Sequence, residues 1–286
     1  MIQTSLSTGL KRSRIAEYRA GHYIFLCIHS IVVLVPFLWL FISTFKTEQE
    51  LVAHPFGLPE MFSLSNYSSA WKSINMLILF KNSLFLCTVS VVCILFLTAL
   101  ASYALSRFKL GINKYLYNFF LVGMMIPINA AIIPLFISLK TFGLVNTYPG
   151  VIIPYIGFGI PMGIFLMSSY MKGIPDEIEE AAIIDGCGLW GLFAHIILPL
   201  SRPIFATSAI ISFMGLWNEF LFALVFLSGK EHQTVPLGLA TFRGQYSTNH
   251  TTMMAGVVIA MIPTIIIYIM LRDNIMKGMT AGSVKG

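Results

Sequence analysis

Apolar runs of about twenty residues recur along this chain, and they constrain its fold more than any other feature. A helix needs about 20 predominantly apolar residues to cross roughly 30 Å of hydrocarbon. Six such runs fall near residues 23–45, 82–106, 115–138, 148–171, 203–228 and 252–271. Their length and apolarity argue for helices over a membrane β-barrel, whose strands would be about ten residues of alternating pattern. Only 10% of the 286 residues are charged and 57% are hydrophobic, against about 25% charged in an ordinary soluble domain. The expected fold class is therefore all-α and integral to the membrane, with six transmembrane helices.

Orientation follows from the basic residues, which concentrate in cytoplasmic loops. With both termini inside, twelve fall on the inner side: Lys11, Arg12, Arg14, Arg19, Arg107, Lys109, Lys114, Lys172, Arg202, Arg272, Lys277 and Lys285. Six fall outside: Lys46, Lys72, Lys81, Lys140, Lys230 and Arg243. The net charge of +6 is on this reading a topology signal and implies no nucleic-acid partner. The first run follows a basic segment, yet it is too long for a signal-peptide core and no small-residue cleavage site follows it, so it reads as an uncleaved span. The four cysteines, Cys27, Cys87, Cys93 and Cys187, fall in spans or on the inner side, and no disulfide framework is implied.

These assignments divide the chain into an inner N-terminal segment (1–22), a first span with its outer loop (23–81), a five-helix core (82–272) and an inner tail (273–286). Within the core, the loop 172–202 stands apart. It carries five acids, Asp176, Glu177, Glu179, Glu180 and Asp185, and two bases. Acids gain nothing from an anionic inner leaflet, so the loop needs another reason. Pro175 followed by Asp176 and Glu177 starts a helix, with acids at the positive end of its dipole. Ile178, Ala181, Ala182 and Asp185 share one small face, Gly186 ends that helix, and a second short helix spans about 189–197. Leu198-Pro199 then stops it. Alanines on a helix–turn–helix suit docking into a groove, because small side chains let backbones approach closely. A solvated amphipathic helix is the plainer reading.

The order Glu180-Ala181-Ala182, Gly186, Ile196, Leu198, Pro199 has the spacing EAA-x3-G-x9-I-x-LP. It resembles the signature of the membrane subunits of binding-protein-dependent ABC importers. The ending Gly278-Met279-Thr280-Ala281-Gly282-Ser283-Val284-Lys285-Gly286 resembles the G-x-T-A-G-x-x-K-G tail of the carbohydrate-uptake class, in particular its maltose-type G subunit. Trp217-Asn218-Glu219-Phe220 and Leu237-Gly238-Leu239 extend the likeness over nearly the whole chain. The resemblance implies a type I importer permease fold with a cytoplasmic coupling helix, in a bacterial cytoplasmic membrane with both termini inside. It implies a second related permease, forming a heterodimer, together with two ATP-binding subunits, an extracellular solute-binding protein, a sugar substrate and membrane lipid.

The same resemblance assigns roles. Glu180 would pair with a base on the ATPase, Ala181, Ala182 and Asp185 would seat the coupling helix, Gly186 would make its turn, and Leu198-Pro199 would close the motif. Gly282, Ser283 and Lys285 would reach toward the ATPase dimer. ATP and magnesium would bind the partners, with no cofactor, metal or catalytic residue on this chain. The sequence itself carries no G-x-x-x-x-G-K-[ST], H-E-x-x-H, C-x-x-C or G-x-S-x-G motif. Glu219 is the one carboxylate within an expected span, and an ionisable group there is functional by default. Either it lines a substrate path with Asn129, Trp217 and Asn218, or it braces helix packing. Tyr155, Phe158 and Phe213 are further aromatics suited to a sugar face. The competing function is a secondary transporter or channel for small polar solutes without an ATPase, for which one intramembrane carboxylate is a thin charge network.

Overall fold

The computed structural model describes the backbone over residues 3–108, 111–243 and 249–281, and the side chains over 21–108, 111–242 and 249–270. Helices account for the regular structure, with no strand among the described residues. In chain order they are α1 (Gln3–Ser43), α2 (Glu48–Ala53), α3 (Ser65–Ser73), α4 (Met76–Arg107), α5 (Asn113–Gly123), α6 (Ile128–Thr141) and α7 (Tyr148–Met171). After these come α8 (Asp176–Ile184), α9 (Leu189–Leu200), α10 (Arg202–Trp217), α11 (Leu221–Phe226), α12 (Val235–Ala240) and α13 (His250–Ala281).

Among the described residues, four helices are long and apolar enough to span a bilayer, over Gly21–Ser43, Met76–Arg107, Tyr148–Met171 and His250–Met270. Two bent helix pairs, Asn113–Gly123 with Ile128–Thr141 and Leu189–Leu200 with Arg202–Trp217, bring the number to six if each is one span. The run 115–138, expected as one span, is broken: α5 and α6 meet at 93°. Pro127 has no N–H to continue the ladder and disfavours helical backbone at Ile126. The run 203–228 is also two helices, because α10 ends at Trp217 and α11 begins at Leu221. Before it, α9 turns through 72° into α10, with Pro203 in the first turn of the new helix.

The chain forms two compact units, residues 1–70 with 247–258, and residues 71–246 with 259–286. In the first, a polar knot follows α1. The buried Lys46 donates from Nζ to the carbonyls of His54 (2.9 Å) and Pro55 (3.0 Å). Asn66 donates from Nδ2 to the carbonyls of Thr44 and Lys46, both at 2.8 Å. Thr47 and Glu50 cap α2 reciprocally.

The second unit is organised by the pairing of α4 with α7. Small residues face one another across that seam, as close packing in lipid requires. A methyl at Gly163 would come 2.6 Å from Thr98 Cγ2, and one at Gly159 would overlap Ile94. Ser90, Thr98, Ser102 and Ser168 are buried along these two helices. One core cluster joins Leu86, Tyr155, Phe222 and Phe226, a second joins Tyr103, Met167, Met171, Phe193 and Ile197, and a third joins Leu79, Phe213 and Trp217. Asn82 on α4 pins the segment before α12, donating to the carbonyls of Glu231 (2.8 Å) and Gln233 (2.9 Å) while accepting from the Tyr148 hydroxyl (2.8 Å).

Candidate coupling surface and the capped break

Helix α8 starts at Asp176, directly after Pro175, with Asp176, Glu177 and Glu179 in its first turn. It ends in a Schellman motif: Gly186 N–H donates to Ile183 (2.9 Å) and Cys187 N–H to Ala182 (2.9 Å). Gly186 has φ +84°, a left-handed conformation that costs a side-chain-bearing residue about 1–2 kcal/mol. The turn expected at Gly186 is thus present, and it sends the chain straight into α9.

The two helices of this projection are held very differently. In α9, Leu192, Phe193 and Ile197 are buried, each contributing roughly 1.5–3 kcal/mol. Phe193 packs 5.2 Å from the Tyr103 ring of α4. The middle of α9 widens into a π-turn over Leu192–Ile197, ahead of Pro199, whose ring would crowd the His195 carbonyl in a regular helix. In α8 no residue is buried.

What fixes α8 is Arg107, the last residue of α4. Its side chain is 5% exposed, with Nη1 2.5 Å from Asp176 Oδ1 and Nε 2.7 Å from Glu179 Oε1. Nη2 donates to the carbonyls of Met171 (2.7 Å) and Ile174 (2.8 Å). Burial raises the Glu179 carboxyl above its ordinary value, opposed by the Arg107 charge and reinforced by Asp176. Sequence reasoning counted Arg107 only as a topology charge. The acids at 176 and 179 share a helix face, but nothing in the sequence says which base they meet.

The outward side of the projection is apolar among acids. Glu180, Ala181, Asp185 and Gly186 are exposed and Ala182 half-buried. Ile184 is 85% exposed and Trp190 75%. Leu198 and Pro199 are half-buried. Gly282, Ser283 and Lys285 lie outside the described residues.

Glu219 occupies the break between α10 and α11. Its Oε1 accepts from Phe222 N–H (2.8 Å), and its Oε2 accepts from Ala223 N–H (3.3 Å) and the Tyr155 hydroxyl (2.7 Å). The carboxylate therefore satisfies the first free amides of α11 and ties that helix to α7. Trp217 is buried, with Nε1 donating to the Ala260 carbonyl at 3.1 Å. Asn218 is exposed and donates to Met214 O (2.8 Å). Asn129 is exposed on α6. Phe158 and Tyr155 both pack against Phe222, and Phe213 stacks on Trp217.

A multi-pass helical bundle with interrupted spans is the architecture of a membrane permease. Its fold is the type I ABC importer permease fold: the crystal structure of a bacterial ABC transporter involved in the import of the acidic polysaccharide alginate superposes with a TM-score of 0.78, covering 92% of this chain and 97% of that one at 22% identity. Residues 94–280 match the family described as binding-protein-dependent transport system inner membrane component, and this chain belongs to that family. A putative ABC transporter permease from Caldicellulosiruptor sp. (strain Rt8B.4) is 38% identical, covering 96% of this chain and all of that protein. The diacetylchitobiose uptake system permease NgcG of Streptomyces coelicolor is 32% identical over 94% of this chain and 90% of its own length.

Proposed function

We propose that this chain is one of two permease subunits lining the pathway of an ATP-driven sugar importer. An ATP-binding subunit engages it through α8–α9, on the cytoplasmic side. The observation that carries this reading is the exposed apolar pair Ile184 and Trp190, set among Asp176, Glu177, Glu180 and Asp185 on a projecting elbow. Lipid does not suit acids at that density, and water does not suit a bare Ile and Trp, whereas a basic-rimmed protein groove suits both. Glu180 meets a base on the motor, Ala181 and Ala182 allow close approach, and Gly186 sets the angle between the helices. Asp185, Leu198 and Pro199 complete the elbow.

Sugar as cargo is supported by relatives named for saccharide uptake. We assign the exposed Asn129 and Asn218 to the substrate path, with Trp217 and Glu219 bracing the helices behind it, and Gly282, Ser283 and Lys285 to a second contact with the motor. ATP and magnesium bind the partner subunits. A solute-binding protein delivers substrate from outside, and both termini of this chain face the cytosol.

A single cysteine at position 184, introduced after replacing Cys27, Cys87, Cys93 and Cys187, tests the docking. It should cross-link to an ATP-binding subunit in membranes, with a yield that changes on adding ATP. Absence of any cross-link, with no ATPase co-purifying from gentle detergent, would instead favour a secondary transporter.

A further inference from the structure

We propose that Arg107 is the positioning residue of coupling: its guanidinium joins the inner ends of α4 and α7 to the first turn of α8, so that a force on α8 moves both spans together. The inference rests on the reading of α8–α9 as the motor's docking surface. It goes further by naming the link between that surface and the membrane.

The geometry is specific to a guanidinium. One planar group donates hydrogen bonds to Asp176 Oδ1 on α8 and to the carbonyls of Met171 and Ile174 at and just past the end of α7, and pairs in charge with Glu179 on α8. A lysine has donors at a single point and cannot span that set. The Met171 carbonyl has no partner four residues on within α7 and accepts from Ile174 N–H (3.1 Å) as well as from Arg107, and a cation there also meets the negative end of the α7 dipole. The carboxylates sit at the positive end of α8. Arg107 thus lies where the field of each neighbouring element favours a positive charge.

The contact is also the anchor α8 lacks elsewhere. No residue of α8 is buried. Past Gly186 the chain is secured by Phe193 against Tyr103, which is again on α4. Both ends of the elbow are therefore fastened to the same span, one by polar and one by apolar contact. A buried cation stripped of its carboxylates is disfavoured, so swinging α8 away while α4 stays in place carries a cost.

The test uses the complete importer in proteoliposomes, with its second permease, ATP-binding subunits and binding protein. Arg107→Gln, Arg107→Lys and the double variant Asp176→Asn/Glu179→Gln are compared for ATPase co-purification, substrate uptake and ATP hydrolysed per substrate imported. The expected result for Arg107→Gln and the double variant is retained co-purification with stimulated uptake reduced by roughly 5- to 150-fold, and more ATP consumed per substrate. Arg107→Lys should fall between these and the parent. Wild-type ATP-to-substrate ratios in the double variant, which leaves the Arg107 bonds to Met171 and Ile174 intact, would overturn the proposal even if Arg107→Gln failed to assemble. Failure of the parent chain to bind any ATPase would sink the docking reading instead.

Discussion

Replacing Gly163 by alanine probes the α4–α7 seam directly. The added carbon would lie 2.6 Å from Thr98 Cγ2, 3.0 Å from its Cβ and 3.1 Å from its Oγ1. Thr98 cannot simply rotate away, because its hydroxyl donates to the Ile94 carbonyl at 2.6 Å and β-branched side chains are stiff in helices. Overpacking of this kind costs about 1–3 kcal/mol. Thr98→Ala removes the two atoms that could move and leaves a contact of 3.0 Å, which an adjustment of a few tenths of an ångström relieves. On its own, Thr98→Ala loses about 2 kcal/mol, about 0.8 through one methyl and about 1 through one hydrogen bond. The double variant should therefore be more stable than the sum of the singles by at least about 1 kcal/mol. Equilibrium unfolding in mixed micelles measures all four corners of the cycle. If the two changes add within roughly 0.3–0.5 kcal/mol, the seam is not packed as argued.

Gly186→Ala meets no neighbouring atom, so its whole cost is the φ of +84°; melts should show about 1–2 kcal/mol, with Gly186→Asn milder because asparagine tolerates that region. Glu180→Lys should leave membrane insertion and melting unchanged while abolishing ATP-dependent uptake, and normal uptake would remove Glu180 from the docking surface. Glu179 gives a pH prediction. Its folded carboxyl lies above the ordinary 4.5, so its contribution to stability is present below about 4.5 and is lost as pH rises through the folded value. The stability of the parent relative to Glu179→Gln should therefore be greatest near pH 4 and fall as the pH rises toward 7.5, and the opposite trend would contradict the burial argument. Asn82→Ala strands the Glu231 and Gln233 carbonyls and the Tyr148 hydroxyl; we expect a loss of about 1–3 kcal/mol and faster proteolysis between residues 228 and 235.

The membrane class, the 148–171 span, the start of α8 and the turn at Gly186 were all legible in the sequence, because each is set by local chemistry: a run of apolar residues, a proline beside acids, a glycine after a helix. Pro127 marks a kink from sequence alone, because proline removes a ladder bond, but neither its angle of 93° nor the break at 218–220 could be read, since hydropathy records how greasy a segment is and says nothing of its direction. At the second break the Asn218-Glu219 pair was the available signal, sitting inside a run apolar enough to mask it. Glu219 had been left between lining a path and bracing the bundle, and its observed partners are Tyr155 and the amides of Phe222 and Ala223. Arg107 lay beyond reach for another reason. Its partner Asp176 is 69 positions away, and only the α4–α7 pairing brings them together.

The interruptions at 124–127 and 218–220 bear on how such a bundle could change shape. Along an unbroken span every bend must rupture ladder bonds that hydrocarbon will not replace. At these two joints the ladder is already discontinuous, so rotation there breaks fewer ladder bonds than it would within an unbroken helix. With α4 and α7 packed face to face through glycine, that pair would travel as one piece, and the half-length segments beside it would hinge at these joints.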